Sequence, residues 1–268
     1  MLGAHLSKNG QLIPVTEGVV PVDNLAFTYG YGVYESMKVR HGHLFFPELH
    51  VQRLRDSAAV LGMQVRWKDN EILGFVHELV ADIGEDAYNI KMLLVGGELF
   101  IFGLAPTFVP KKLYKQGAHT ITYVGERLFP NAKSLNMLMS YLAYTQAKAA
   151  SAYDALLVDH EGYIPEGTRT NLFFTDGTTI YTPPKQDILQ GVTRATLIDA
   201  LEEEGISVLQ KKLHKNELKK YGLFLTSTSS KVVPLKTVDD IVLEIPALVR
   251  SVMRIYDAKL SALSQATP

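Results

Sequence analysis

Glu166-Gly167-Thr168-Arg169-Thr170-Asn171 (EGTRTN) stands between two strand-like runs, Asp154 to Val158 and Asn171 to Phe174. A glycine followed by hydroxyl-bearing residues marks a turn, so the stretch reads strand, turn, strand with one carboxylate hung at the bend. A Glu-Gly at such a place has two readings. It can cap the turn, or it can hold a negative charge against a basic ring nitrogen, which raises the pKa of that nitrogen and keeps it protonated.

Two further blocks bear on the choice. AKSLNML carries Lys133, the only lysine between Lys115 and Lys148, just ahead of an apolar helical run through Leu135, Leu138 and Leu142. A lysine is ordinarily solvated, but a desolvated one has a lowered pKa and becomes a nucleophile able to form a Schiff base. ILQGVTR places Gly191-Val192-Thr193 at the start of a helix whose apolar face is Leu197, Ile198 and Leu201. Free N–H groups at a helix N-terminus bind phosphate with the help of the helix dipole; the plain alternative is an ordinary N-cap with Thr193 as the capping residue. Arg53, beside Leu54 on an earlier helix, either snorkels to solvent or clasps a phosphate with its planar fork. Thr226 to Ser230 (TSTSS) put five hydroxyls after the apolar Leu223-Phe224-Leu225. An amine, a carboxylate and an anion-binding turn form the set that holds an aldehyde cofactor with a phosphate at one end and a basic nitrogen at the other. Pyridoxal phosphate fits that description.

Composition sets the outer bounds. With 268 residues, 47% hydrophobic and 21% charged, the chain is comfortable as two globular domains. The 27 basic and 28 acidic residues leave a formal charge of −1, which predicts neither a nucleic-acid partner nor an anionic membrane surface. Cysteine is absent, so disulfides, thiolate metal sites and a cysteine nucleophile are excluded, and no metal is expected. MLGAHLSKNG lacks the basic start and apolar middle of a secretory signal, and no run approaches the ~18 apolar residues of a membrane span. The expectation is a cytoplasmic protein.

The fold class expected is α+β in two domains: residues 1–105, a linker at 106–117 where prolines and lysines show no period, and residues 118–268. In the first, a hairpin turns at His41-Gly42, helices start at Pro47 and about Lys68, and Lys91 to Leu104 form paired strands. In the second, short strands at 119–124, 154–158, 171–174, 179–181 and 206–213 alternate with helices near 135–150, 194–204 and 246–263.

Taken in order, YGYGVYESMKV (Tyr29 to Val39), HVQRLRDSA (His50 to Ala58), AKSLNML, EGTRTN, YTPP, ILQGVTR and TSTSSKVVPL resemble the class IV aminotransferases. These are the fold-type IV pyridoxal phosphate enzymes, which include D-amino-acid and branched-chain aminotransferases and aminodeoxychorismate lyase. The resemblance runs from about Tyr29 to Pro234. It implies a D-amino-acid aminotransferase-like fold with the cofactor in the interdomain cleft, and a homodimer. It implies that Lys133 forms the Schiff base and shuttles the proton, and that Glu166 pairs with the pyridine nitrogen. Arg53, the amides of Val192 and Thr193, and the hydroxyls of Ser227 or Thr228 would hold the phosphate. Leu189 would pack on a ring face, and Tyr34 would bond near Lys133 and the substrate.

The reaction implied moves an amino group between an amino acid and a 2-oxo acid. D-specific members trap the α-carboxylate with an arginine and a histidine two apart on a first-domain strand, and LLVGGELFIFG offers neither. Branched-chain members use a tyrosine and a late threonine turn, for which Tyr31 with Thr228-Ser229 could serve. Lys38, Arg40, Arg127 and Arg169 are other carboxylate partners to weigh against plain surface charges. Ser230-Lys231 departs from the family's usual glutamate at its second position. The alternative reaction is that of the lyase, which releases pyruvate to give 4-aminobenzoate. A non-catalytic relative is disfavoured by the presence of both Lys133 and Glu166.

Overall fold

The computed structural model describes residues 1–265 and divides them into two compact units, each built on its own sheet. The first comprises residues 1–107 together with 132–137. It begins with a hairpin, β1 (Leu2–Lys8) and β2 (Gln11–Pro14), turned at Asn9-Gly10 with φ of 55° and 89°. Paired positive φ angles match the twist of adjacent strands. The short α1 (Leu25–Thr28) is capped by Asn24 Oδ1, which accepts from Phe27 N–H. Then come β3 (Gly32–Arg40) and β4 (His43–Leu44), joined at His41-Gly42 as the sequence predicts. Helices α2 (Pro47–Val60) and α3 (Asp69–Ile83) follow, and β5 (Ala87–Val95) and β6 (Glu98–Leu104) complete an antiparallel sheet of order β2-β1-β6-β5-β3-β4.

The pattern along β3 explains which face meets the helices. Val33, Glu35, Met37 and Val39 are buried, while Tyr34, Ser36 and Lys38 alternate with them and are half-buried. Val33, Met37 and Val39 pack with Ile90, Met92 and Leu94 of β5 against Val51 and Leu54 of α2 and Ile72 and Val76 of α3. Glu35 is the one charged residue in the inward phase of the strand, and it is fully buried. Residues 132–137 come back to this unit: Ser134 bridges Val33, Leu135 N–H donates to Gly32 O (2.8 Å), and Tyr34 N–H donates to Lys133 O (2.9 Å).

The second unit holds residues 108–131 and the chain from 138 onward. Its elements are α4 (Lys111–Gln116), β7 (Ala118–Val124), α5 (Leu138–Ala149), β8 (Asp154–Val158), β9 (Asn171–Thr175), β10 (Ile180–Thr182), α6 (Val192–Glu203), β11 (Val208–Gln210), β12 (Gly222–Ser227), β13 (Lys231–Val238), β14 (Ile241–Val242) and α7 (Ala247–Gln265). The sheet runs β11-β10-β9-β12-β13-β7-β8, with β14 paired to β13. Its central strands are buried on both faces and read as continuous apolar runs. Leu172, Phe174, Leu223, Leu225 and Val233 fill one side. Phe173 and Phe224 face Leu197 and Leu201 of α6 and Val249 and Val252 of α7 on the other.

Several elements differ from their sequence reading. Within 106–117, read as linker, Lys111–Gln116 form a helix. The helix expected near residue 135 begins at Leu138, because the preceding residues hydrogen-bond to β3 instead. The strand expected over 206–213 contracts to Val208–Gln210. Among the described residues no helix is long and apolar enough to cross a membrane.

Candidate active site

The first unit carries Lys133, Tyr34, Arg53, Tyr31 and Lys38, and of these the structure brings Lys133 and Tyr34 together. Lys133 is fixed through its backbone: its N–H donates to Ser57 Oγ of α2 (3.0 Å), and its carbonyl accepts from Tyr34 N–H of β3 (2.9 Å). The side chain lies over Tyr34, with Nζ 4.5 Å from the ring centroid. An aromatic face attracts an ammonium group but cannot take its proton. Among the described residues the amine has no carboxylate or carbonyl partner that would hold it in place. Lys91 of β5, opposite Ser36, brings a second amine to the same ring at 4.6 Å. The Tyr34 hydroxyl reaches Met137 Sδ at 3.7 Å.

On the other face of β3 is a group that sequence reading missed. Arg53 Nε donates to Glu35 Oε1 and Arg53 Nη2 to Oε2, both at 2.7 Å, a bidentate pair. His50 Nδ1 stands 2.7 Å from Glu35 Oε2. Burial alone would raise the pKa of Glu35; the charge and hydrogen bonds of Arg53, with the bond from His50, outweigh it and hold the carboxyl far below its usual range. Burial pushes His50 down against the pull of Glu35. A neutral ring then donates Nδ1–H to the carboxylate. Arg53 does not snorkel: it is buried, with two nitrogens committed to Glu35, which sets the plane of its fork. Ser57, one turn further along α2, lies on the same side as Arg53. The available signal was one acid in the apolar phase of β3, with a histidine and an arginine three apart on the next helix.

Tyr31 is 47% exposed and donates its hydroxyl to Leu61 O (3.0 Å). Lys38 and Arg40 share the Tyr34 face of β3, further along the strand.

The second unit carries Glu166, Leu189, Val192, Thr193 and the 227–229 hydroxyls, and of these the structure joins Glu166 to Leu189. Glu166 is only 4% exposed. Its Oε1 accepts from Arg127 Nη1 (3.0 Å) and its Oε2 from Leu189 N–H (3.2 Å). Arg127, which the sequence presents as a plain surface charge, has a side chain only 13% exposed and also donates to Pro130 O (3.2 Å). Asn131 Nδ2 ties this loop to the one before α6, donating to Lys185 O (2.9 Å) and Ile188 O (2.8 Å).

Helix α6 has Gly191 as N-cap, so Thr193 lies inside the helix and does not cap it. The first helical bond runs from Ala195 N–H to Gly191 O (2.9 Å), which leaves the N–H groups of Val192 and Thr193 unspent within the helix. Glycine is required at 191 by packing: a Cβ would lie 2.0 Å from Asn171 Oδ1. Asn171 Nδ2 in turn donates to Leu189 O (2.8 Å), so the last residue of EGTRTN locks the LQGVTR turn. Beyond β12, Ser227 Oγ and Ser230 Oγ are 2.6 Å apart, Thr228 is half-buried and Ser229 exposed. Lys231 closes this turn at φ 58° and pairs with Asp257 (2.6 Å).

The donor set suits pyridoxal phosphate. A primary amine without a polar partner among the described residues meets the need of an aldehyde, a buried carboxylate that of a ring nitrogen, and unspent N–H groups at a helix N-terminus that of a phosphate.

Comparison with known proteins agrees. The family model described as "Amino-transferase class IV" matches residues 32–238. A D-alanine aminotransferase of Bacillus licheniformis is 31% identical over 86% of this chain and 87% of its own length. A branched-chain-amino-acid aminotransferase of Pseudomonas aeruginosa is 27% identical over 86% of this chain and 83% of its own. A solved branched-chain amino acid aminotransferase from T.th., in complex with pyridoxamine 5'-phosphate, superposes with a TM-score of 0.88 at 25% identity, covering 99% of this chain and 96% of that one. A match across both halves of the motif series, on a fold of this likeness, leaves one assignment: the chain belongs to the class IV aminotransferases.

Proposed function

We propose that this pyridoxal-phosphate-dependent transaminase takes the amino group of a branched-chain L-amino acid and delivers it to a 2-oxo acid, with Lys133 as the proton-moving residue. The observation that carries the assignment of Lys133 is its amine, held by its backbone to α2 and β3 yet without a polar partner among the described residues.

When bound, the cofactor supplies an electron sink that makes the substrate α-C–H acidic. Lys133 Nζ would take the proton from the substrate α-carbon and hold it for return. Tyr34 sets the direction from which that amine works. Glu166, with its two oxygens engaged by Arg127 and by Leu189 N–H, keeps the ring nitrogen protonated. The amides of Val192 and Thr193 and the Ser227 and Thr228 hydroxyls would hold the phosphate, Arg53 would offer it a cation, and Leu189 would pack on the ring.

For the substrate, the β5–β6 hairpin is the supporting feature: LLVGGELFIFG carries no arginine and no histidine. Tyr31, the Thr228-Ser229 turn and Lys38 are the candidates to take the α-carboxylate. The relatives named above are transaminases, which favours transfer over the lyase reaction. A cytoplasmic location and a homodimer complete the reading; the homodimer is supported by the exposed apolar stripe Leu138, Tyr141 and Leu142 on α5, the kind of patch a second copy covers.

The purified protein is expected to be yellow and to lose its colour with borohydride. Adding L-leucine, L-valine or D-alanine singly then sorts the substrate. Bleaching by D-alanine alone overturns the branched-chain reading, and a colourless protein that takes up no pyridoxal phosphate overturns the role of Lys133.

A further inference from the structure

Asp154, the first residue of β8, is a fully buried carboxylate with no role in the chemistry above. A buried charge is costly unless it is paired or well bonded. No cation among the described residues bonds to it. Instead, Thr168 Oγ1 donates to Oδ1, Thr170 Oγ1 donates to Oδ2 (2.8 Å), and Ala155 N–H donates to Oδ1 (2.9 Å). Both threonines follow Glu166 closely in EGTRTN. The backbone of the turn is fastened to the same strand, since Leu157 N–H donates to Glu166 O (2.9 Å) and Thr168 N–H to Ala155 O (3.0 Å). Gly167 N–H closes the bend on Thr170 O (2.9 Å). There is no slack in this arrangement: a Cβ at Gly167 would lie 2.3 Å from Thr170 Oγ1 and 2.8 Å from Asp154 Oδ2.

A carboxylate receives one hydroxyl on each oxygen; an amide would have to reverse one threonine into an acceptor, and an apolar residue strands both donors. We propose that Asp154 is a positioning residue for the transamination, clamping the turn that carries Glu166 so that its carboxylate is presented to the pyridine nitrogen. Arg127 and Leu189 N–H fix the tip of the Glu166 side chain, and Asp154 fixes its base. This rests on Glu166 being the partner of the ring nitrogen.

The test uses the full chain loaded with pyridoxal phosphate labelled with nitrogen-15 at the ring nitrogen. The chemical shift reports protonation of that atom independently of turnover. Asp154→Asn and Asp154→Ala are expected to move the signal toward the unprotonated position, Ala further than Asn. They are also expected to lower kcat on the order of 10-fold while leaving KM little changed, as for a displaced catalytic group. Should the Asp154 variants fail to fold, Thr170→Val decides the matter, because it removes one donor and keeps the side-chain shape. Glu166→Gln is the control. If it moves the signal and neither the Asp154 variants nor Thr170→Val do, the positioning role is wrong and the Glu166 assignment stands. If Glu166→Gln leaves the signal in place, the Glu166 assignment fails and takes the inference with it.

Discussion

Arg127 Nη1 stands 3.0 Å from Glu166 Oε1, and both side chains are largely shielded from solvent. The arginine thus holds the carboxylate proposed to serve the ring nitrogen. Removing it strips Glu166 of its charge partner and frees the side chain to turn. Arg127→Ala is expected to lower kcat on the order of 10²-fold, the effect of a small misplacement at a reacting centre, with Arg127→Lys in between. Steady-state kinetics with L-leucine as donor read the effect, and parent-like kcat in Arg127→Ala rules the role out.

The Glu35–Arg53 pair predicts a stability change. Replacing one partner of a buried ion pair leaves the other uncompensated, so Glu35→Gln is expected to cost about 3–5 kcal/mol. Urea unfolding measures it.

The same group predicts an acid dependence with a definite sign. The folded pKa of Glu35 lies below its ordinary 4.5, so its contribution is present above that value and is lost as pH falls through the folded one. The folded pKa of His50 lies below 6.5, so its contribution also declines as pH drops from there. Urea midpoints of the parent chain should fall through both windows. Glu35→Gln should keep the upper decline and lose the lower one; an unaltered profile below pH 4.5 counts against Glu35 as its source.

Lys133→Ala is expected to abolish turnover while part of the cofactor affinity survives through the phosphate end. Equilibrium binding of pyridoxal phosphate, followed by fluorescence, separates the two. Turnover near the parent rate refutes the assignment.

Gly191→Ala meets no backbone restriction, since φ at 191 is −64°. Its effect is a collision with Asn171 Oδ1. Loss of the Asn171–Leu189 hydrogen bond, worth about 1.4 kcal/mol, lowers pyridoxal phosphate affinity on the order of 10-fold. Adding Asn171→Ala makes room for the new methyl, and the two changes should cost less together than their sum. Strict additivity excludes the collision as the cause.

Residues whose chemistry is local were readable in order along the chain. EGTRTN, LQGVTR and AKSLNML each announce a turn, a helix start or an isolated lysine, and the strands and helices around them follow from periods of two and near four. Pairings across distance were not readable. Glu35 looks like any strand residue until α2 brings His50 and Arg53 over it, and Arg127 looks solvated until a loop folds it against Glu166. The start of α5 was misplaced for a similar reason: residues 132–137 have helical composition, and only their bonds to β3 show that they spend it elsewhere.

That excursion has a consequence for any division of the chain. Lys133 lies in a short segment flanked along the chain by the second unit, yet it belongs to the first, where Ser57 bonds its N–H and Val33 bridges its neighbour Ser134. A gene cut near residue 107 yields an amino-terminal half with the seat and no amine, and grafting the remainder onto a foreign amino-terminal half carries the amine without its seat. Separating the chain there divides Lys133 from the hydroxyl and backbone contacts that hold it.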